Sequence, residues 1–260
     1  MSDHLQTILE HKQREVEVAR DQRPLAELKA MIAETGPERD FPGALRSPGN
    51  RVIAEIKRAS PSRGTIAREF DHRRLASDFE KGGACALSVL TDERYFQGDP
   101  RFIREVKAVS SLPVLRKDFI LDEYQVFESR ALGADAILLI VRALEEETLG
   151  KLLNCAAELG LGALVEVHDV GDLGSVNRIR PEVVGVNNRD LADFSVSLDR
   201  SRELRGKIKG DCITVSESGI STRDDIAYLK KAGFDAFLVG EALMTSTDRI
   251  KTLLSLTQER

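Results

Sequence analysis

The chain has 260 residues, 42% of them hydrophobic and 31% charged, with a formal net charge of -5. These are the proportions of a soluble globular chain, and the acidic balance gives no support for a nucleic-acid partner. No apolar run approaches the ~20 residues that span a bilayer, and the charged start lacks the apolar core of a secretory signal. Cys85, Cys155 and Cys212 are odd in number and far apart. They read as buried free thiols in a reducing cytoplasm rather than as disulfides or a zinc site. The scattered histidines show no ligand spacing, so no metal is expected, and no obligate protein partner is expected either.

Residues 1–48 are helical in pattern. Leu5, Ile8 and Leu9, then Val16, Val18 and Ala19, then Leu25, Leu28 and Met31 fall at helical spacing. Pro24 suits the start of a second helix and Gly36-Pro37 its end. This extension is expected to cover one end of the core; the alternative is a lid or a partner surface. From residue 51 strand-like runs recur at 52–57, 86–90, 113–117, 136–140, 162–167, 183–187, 213–217 and 236–240, each gap leaving room for a helix. Helices are legible at 74–82, 99–109, 122–132, 145–159 and 222–232, several ending at glycine. Asp99 is expected to cap before Pro100, and Ser221-Thr222-Arg223-Asp224 to open the last of these helices. Eight βα units predict a closed (β/α)8 barrel over 51–260, with 1–260 forming one domain. An open doubly wound sheet stays possible, but no G-x-G-x-x-G follows the first strand.

The segment 51–64, RVIAEIKRASPSRG, begins as a buried strand and ends in charge. Glu55 and Lys57 stand two residues apart and so point the same way. A carboxylate and an ammonium facing a barrel interior are costly unless they pair or meet a charged ligand. Active sites of such barrels lie at the C-terminal ends of the strands, and unusual polar residues collect there: Glu55 and Lys57, Lys117 with Asp118, Glu166, Asn187 with Arg189, and Glu217 with Ser218. Parity sharpens the pattern. Leu115, Lys117 and Phe119 share one face, as do Leu164, Glu166 and His168, and Gly185, Asn187 and Arg189. The loop 58–68, punctuated by Pro and Gly, is a candidate cover for the site.

A phosphate cradle is expected where the seventh strand runs into Ser218-Gly219 and the eighth into Gly240-Glu241. Loops at these two positions commonly bind phosphate through backbone N–H groups. Ser60, Arg63 and Lys57, next to the eighth strand in a closed barrel, add hydroxyl and cationic donors.

Together VIAEIKRASPSRG, LSVLTDERYFQGD, LPVLRKDFILDEYQV, GADAILLIV, ALVEVHD, VGVNNRDL, VSESGI and FLVGEALM resemble the indole-3-glycerol phosphate synthase family of tryptophan biosynthesis. The resemblance covers residues 51–245, with no departure at a motif position, and the helical prefix is similar to the family's N-terminal helices. It points to the stand-alone enzyme rather than a fusion with phosphoribosylanthranilate isomerase. The resemblance implies a decarboxylating, dehydrating ring closure of a phosphorylated small molecule, without a cofactor. It implies Lys117 as general acid, a role favoured if cations or desolvation lower its pKa. Glu166 is implied as partner acid–base, Lys57 as the group that meets the substrate carboxylate or hydroxyl, and Glu55 and Glu217 as groups orienting the lysines. Asn187 and Ser218 would fix substrate hydroxyls, with Arg189 also in the binding set. Phe96, Phe119 and Leu138 would wall an aromatic ring. Asn188 and Glu241 are expected to vary without consequence, Glu241 contributing its backbone alone. Two other readings stay open: a Schiff-base aldolase using Lys57 or Lys117 as nucleophile, and a non-catalytic barrel that binds phosphometabolites.

Overall fold

The computed structural model describes residues 3–67, 69–190 and 194–258. Eight parallel strands close into a barrel: β1 (Arg51–Ile56), β2 (Ala86–Leu90), β3 (Val114–Lys117), β4 (Ala136–Ile140), β5 (Gly162–Val167), β6 (Val183–Asn187), β7 (Ile213–Glu217) and β8 (Ala236–Val239). Each pairs with the next, and β8 returns to β1 with Val52 opposite Phe237. The open-sheet alternative is therefore excluded. Lys57 and Gly240, predicted as strand residues, stand just past β1 and β8.

Two apolar layers result from the period of two along each strand. Ile53, Leu115, Leu138, Leu164 and Val215 fill the barrel interior, while alternate residues such as Val52, Val89 and Val165 meet the outer helices. The five predicted helices are present at His72–Lys81, Arg101–Lys107, Glu123–Leu132, Glu146–Glu158 and Arg223–Lys231. The cap of the last is shifted by one residue from the expected pair. Thr222 accepts from the Asp225 N–H and Asp225 answers, a reciprocal box. Asp99 does accept from the Arg101 N–H at 2.8 Å. Helices Leu173–Ile179, Leu198–Arg205 and Arg249–Thr257 were not legible. The second of these buries only Ser201 and Leu204, too thin an apolar stripe to register as a period.

The N-terminal extension serves both ends of the barrel, through different pieces. Helix α1 (Asp3–Gln22) lies toward the mouth, where Leu5 and Ile8 line the central cavity. Helix α2 (Leu25–Glu34) runs along the outside, packing Leu28 with Tyr124 and Ala131 of the helix Glu123–Leu132. Phe41 and Leu45 then join the interior cluster at the strands' N-terminal end, Phe41 and Pro42 lying against Gly162. Among the described residues no helix is long and apolar enough to cross a membrane. The three thiols are free; Cys155 is buried in an outer helix, whereas Cys85 and Cys212 are only partly buried.

Candidate active site

The strands' C-terminal ends open into one cavity of about 800 Å³. Every predicted site residue lines it: the charged set Glu55, Lys57, Lys117, Glu166 and Glu217; the polar set Ser60, Asn187, Arg189 and Ser218; Gly219, Gly240 and Glu241; and Phe96, Phe119 and Leu138. The loop after β1 folds over the mouth as a small hairpin, Ala59–Ser60 against Gly64–Thr65. Arg68, the last residue of the predicted cover, lies outside the described residues.

The charges form two adjoining sets of ion pairs. Lys57 Nζ meets Glu55 Oε1 at 2.5 Å. Lys117 Nζ sits between two carboxylates from separate strands, 2.8 Å from Glu166 and 2.7 Å from Glu217. Burial alone would lower the Lys117 pKa, but the attraction of Glu166, Glu217 and Glu55 outweighs it and raises the value above that of a free lysine. The lowering that would favour a proton donor is not found, because carboxylates rather than cations surround this lysine. Three carboxylates share two ammonium groups, and one carboxylate is left with too little compensation. Burial and the negative charge of Glu166 push Glu217 up, beyond what Lys117 can offset. Glu166 lies below the ordinary range: burial opposes this, but Lys117, then His168, then the Asn187 amide stabilise its charge.

Two glycines make this crowding possible. A Cβ at Gly185 would collide with Glu217 Oε1, and one at Gly240 with Glu55 Oε1. Gly240, expected as a phosphate contact, therefore also leaves room for the first carboxylate. At the end of β7, Ser218 and Gly219 both take left-handed backbone conformations, φ 70° and 81°. A Cβ at Gly219 would also meet Val196, so position 219 admits only glycine without strain.

Beside that turn Glu241 binds Arg63 at 2.5 Å and Arg189 at 3.4 Å. Its side chain is thus engaged, contrary to a backbone-only role. Asn188 also differs from expectation. It is fully buried, donates to Ser216 Oγ at 3.0 Å and to the Ser218 carbonyl at 3.1 Å, and accepts from the Ser201 N–H. It holds the strained turn in place from behind. His168 continues the inward line of β5, with Nε2 3.2 Å from Glu166 Oε1, and burial pushes its pKa down. The parity pattern places His168 there but gives it no role. Phe96 and Phe119 lie tilted against each other with centroids 6.3 Å apart, and Leu5 and Ile8 of α1 line the same cavity.

Groups able to give and take protons, gathered where barrels of this type do their chemistry, define a (β/α)8-barrel enzyme. The chain belongs to the indole-3-glycerol phosphate synthase family, whose description matches residues 5–256. The indole-3-glycerol phosphate synthase of Chlorobium phaeovibrioides is 51% identical over 247 residues, covering 94% of this chain and 96% of that one. The protein of the same name from Chromobacterium violaceum is 46% identical over 252 residues, 95% of each. Among solved structures, 3-hexulose-6-phosphate synthase from Salmonella typhimurium superposes with a TM-score of 0.65 at 12% identity, over 80% of this chain and 96% of that one. That likeness is one of fold.

Proposed function

We propose that this cavity converts 1-(2-carboxyphenylamino)-1-deoxyribulose 5-phosphate to indole-3-glycerol phosphate, carbon dioxide and water. The observation that carries the assignment of roles is the placement of Lys117 between Glu166 and Glu217 within a cavity that also has an aromatic side and an arginine pair.

The aromatic carbon bearing the carboxylate attacks the ribulose carbonyl, whose oxygen must gain a proton. Lys117, held charged by its neighbours, supplies it. Carbon dioxide then leaves with its bonding electrons returned to the ring, which regains aromaticity. Loss of the new hydroxyl as water needs a proton donor, and loss of a proton from the adjacent carbon needs a base. Glu166, ionised at rest, is suited to be that base. Lys57 meets the substrate carboxylate or the departing hydroxyl, and Glu55 keeps it oriented. Asn187 and Ser218 hold the sugar hydroxyls. The phosphate seats at the Ser218–Gly219 turn and the Gly240 backbone with Ser60, Arg63 and Arg189, and Phe96, Phe119 and Leu138 take the ring. Proton transfers and fixed charges balance this sequence without a redox partner. A Schiff-base mechanism would require a neutral amine, which the raised pKa of Lys117 disfavours. The free thiols fit a cytoplasmic location.

Mixing the protein with the carboxyphenylamino substrate and following indole fluorescence tests this reading. Growth of the signal is expected; its absence, with folded protein and intact substrate, defeats the assignment. A subtler test uses Gly185→Ala, whose methyl displaces Glu217 from Lys117. This variant is expected to lose about tenfold or more in kcat, since small misplacements of reacting groups are costly. An unchanged kcat would show that the Glu217 position is unimportant.

A further inference from the structure

One buried cation outside the reacting cluster is unaccounted for. Lys12 lies midway along α1, yet is only 5% exposed. Its Nζ is 2.6 Å from Glu15 of the same helix, 2.9 Å from Asp92 and 2.9 Å from Asp118. A lysine is rarely taken so far out of water unless its partners are strongly fixed.

The partners are fixed, and each stands beside a piece of the cavity's apolar side. Asp92 caps the short helix Glu93–Phe96 by accepting from the Tyr95 N–H at 2.7 Å, and that helix ends in Phe96. Asp118 follows Lys117 and precedes Phe119. It accepts from the Phe119 N–H at 2.8 Å and from Thr91 Oγ1 at 2.6 Å, and it pairs with the buried Arg116 at 3.2 Å. On α1, Ile8 and Leu5 precede Lys12 by four and seven residues, which places all three on one helix face.

We propose that Lys12 is a positioning residue for the substrate's aromatic ring: its ammonium gathers α1, the Asp92 cap and the Asp118 corner, so that Leu5, Ile8, Phe96 and Phe119 form one side of the cavity. The ring pocket is thereby assembled from three chain segments around a charge that never touches substrate. The ion pairs of Lys12 go to Glu15, Asp92 and Asp118 and to no member of the Ser218–Gly219 turn or the Arg63–Glu241–Arg189 group, so the two halves of the site are separable. The proposal rests on the ring-closure reading above.

The test compares Lys12→Met with the parent chain for two ligands: the carboxyphenylamino substrate, through KM and kcat, and inorganic phosphate, through its constant as a competitive inhibitor. Loss of the ammonium is expected to raise KM for the substrate by roughly tenfold to a hundredfold, and to leave the phosphate constant within about twofold. Lys12→Arg is expected to recover most of the loss. Lys12→Met leaves Asp92 without its cation, so if that chain does not fold the same measurements are made on Lys12→Met/Asp92→Asn. A folded variant with the parent's KM overturns the proposal, and so does one in which substrate and phosphate weaken by the same factor. Turnover by the parent chain separately tests the reading of function.

Discussion

Replacing Lys117 with alanine is expected to lower kcat by about a thousandfold or more while KM changes little, the pattern of a group that acts in the transition state. The ammonium does two things in this site. It supplies the proton that the carbonyl oxygen needs as carbon attacks, and it stands between Glu166 and Glu217, 2.8 and 2.7 Å away. Without it two buried carboxyl groups face each other with no cation between them, so the pair holds its proton more tightly or moves apart. The ionised form of Glu166 that can act as base is then lost together with the acid. Lys117→Arg separates these contributions: it keeps a cation between the carboxylates but presents a planar, far weaker acid. Arginine is expected to recover folding stability without recovering turnover. Steady-state kinetics beside thermal unfolding of both variants measure the split, and near-normal turnover in Lys117→Ala would remove this residue from the mechanism.

Much of this site was legible because the period of a strand is two. Leu115, Lys117 and Phe119, or Leu164, Glu166 and His168, announce an inward line ending in charge, and barrel closure brings such lines to one mouth. Less legible were relations fixed by packing between segments distant in the chain. Leu5 and Ile8 show a helix stripe but not which end of the barrel it covers. Asn188 reads as one more polar residue after β6; only the position of Ser201, Ser216 and Ser218 makes it a buried support. The raised pKa of Lys117 follows from a count of neighbouring carboxylates that no single motif contains. The absent side chains of Gly185 and Gly240 matter for a similar reason: the atoms they spare belong to Glu217 and Glu55, contributed by other strands.

That same charge count sets apart the two carboxylates around Lys117. Glu166 is held ionised and Glu217 is held protonated above the usual 4.5. A neutral amide imitates a protonated carboxyl and not an ionised one. Glu166→Gln is therefore expected to lower kcat by roughly a hundredfold to ten-thousandfold, the scale of a lost general base, whereas Glu217→Gln loses about tenfold or less. The pH dependence follows with a definite sign. Between 4.5 and the raised pKa of Glu217 the folded chain carries a proton that the unfolded chain has released. The stability this provides is complete below the unfolded value and lost as pH rises through the folded one. Ionisation of Glu217 over the same range places a second negative charge against Glu166, so kcat falls on the alkaline side. Glu217→Gln cannot ionise and is expected to flatten that limb. pH profiles of kcat for both variants decide the matter: a larger loss in Glu217→Gln, or an alkaline limb that survives in it, would show that the proton resides elsewhere.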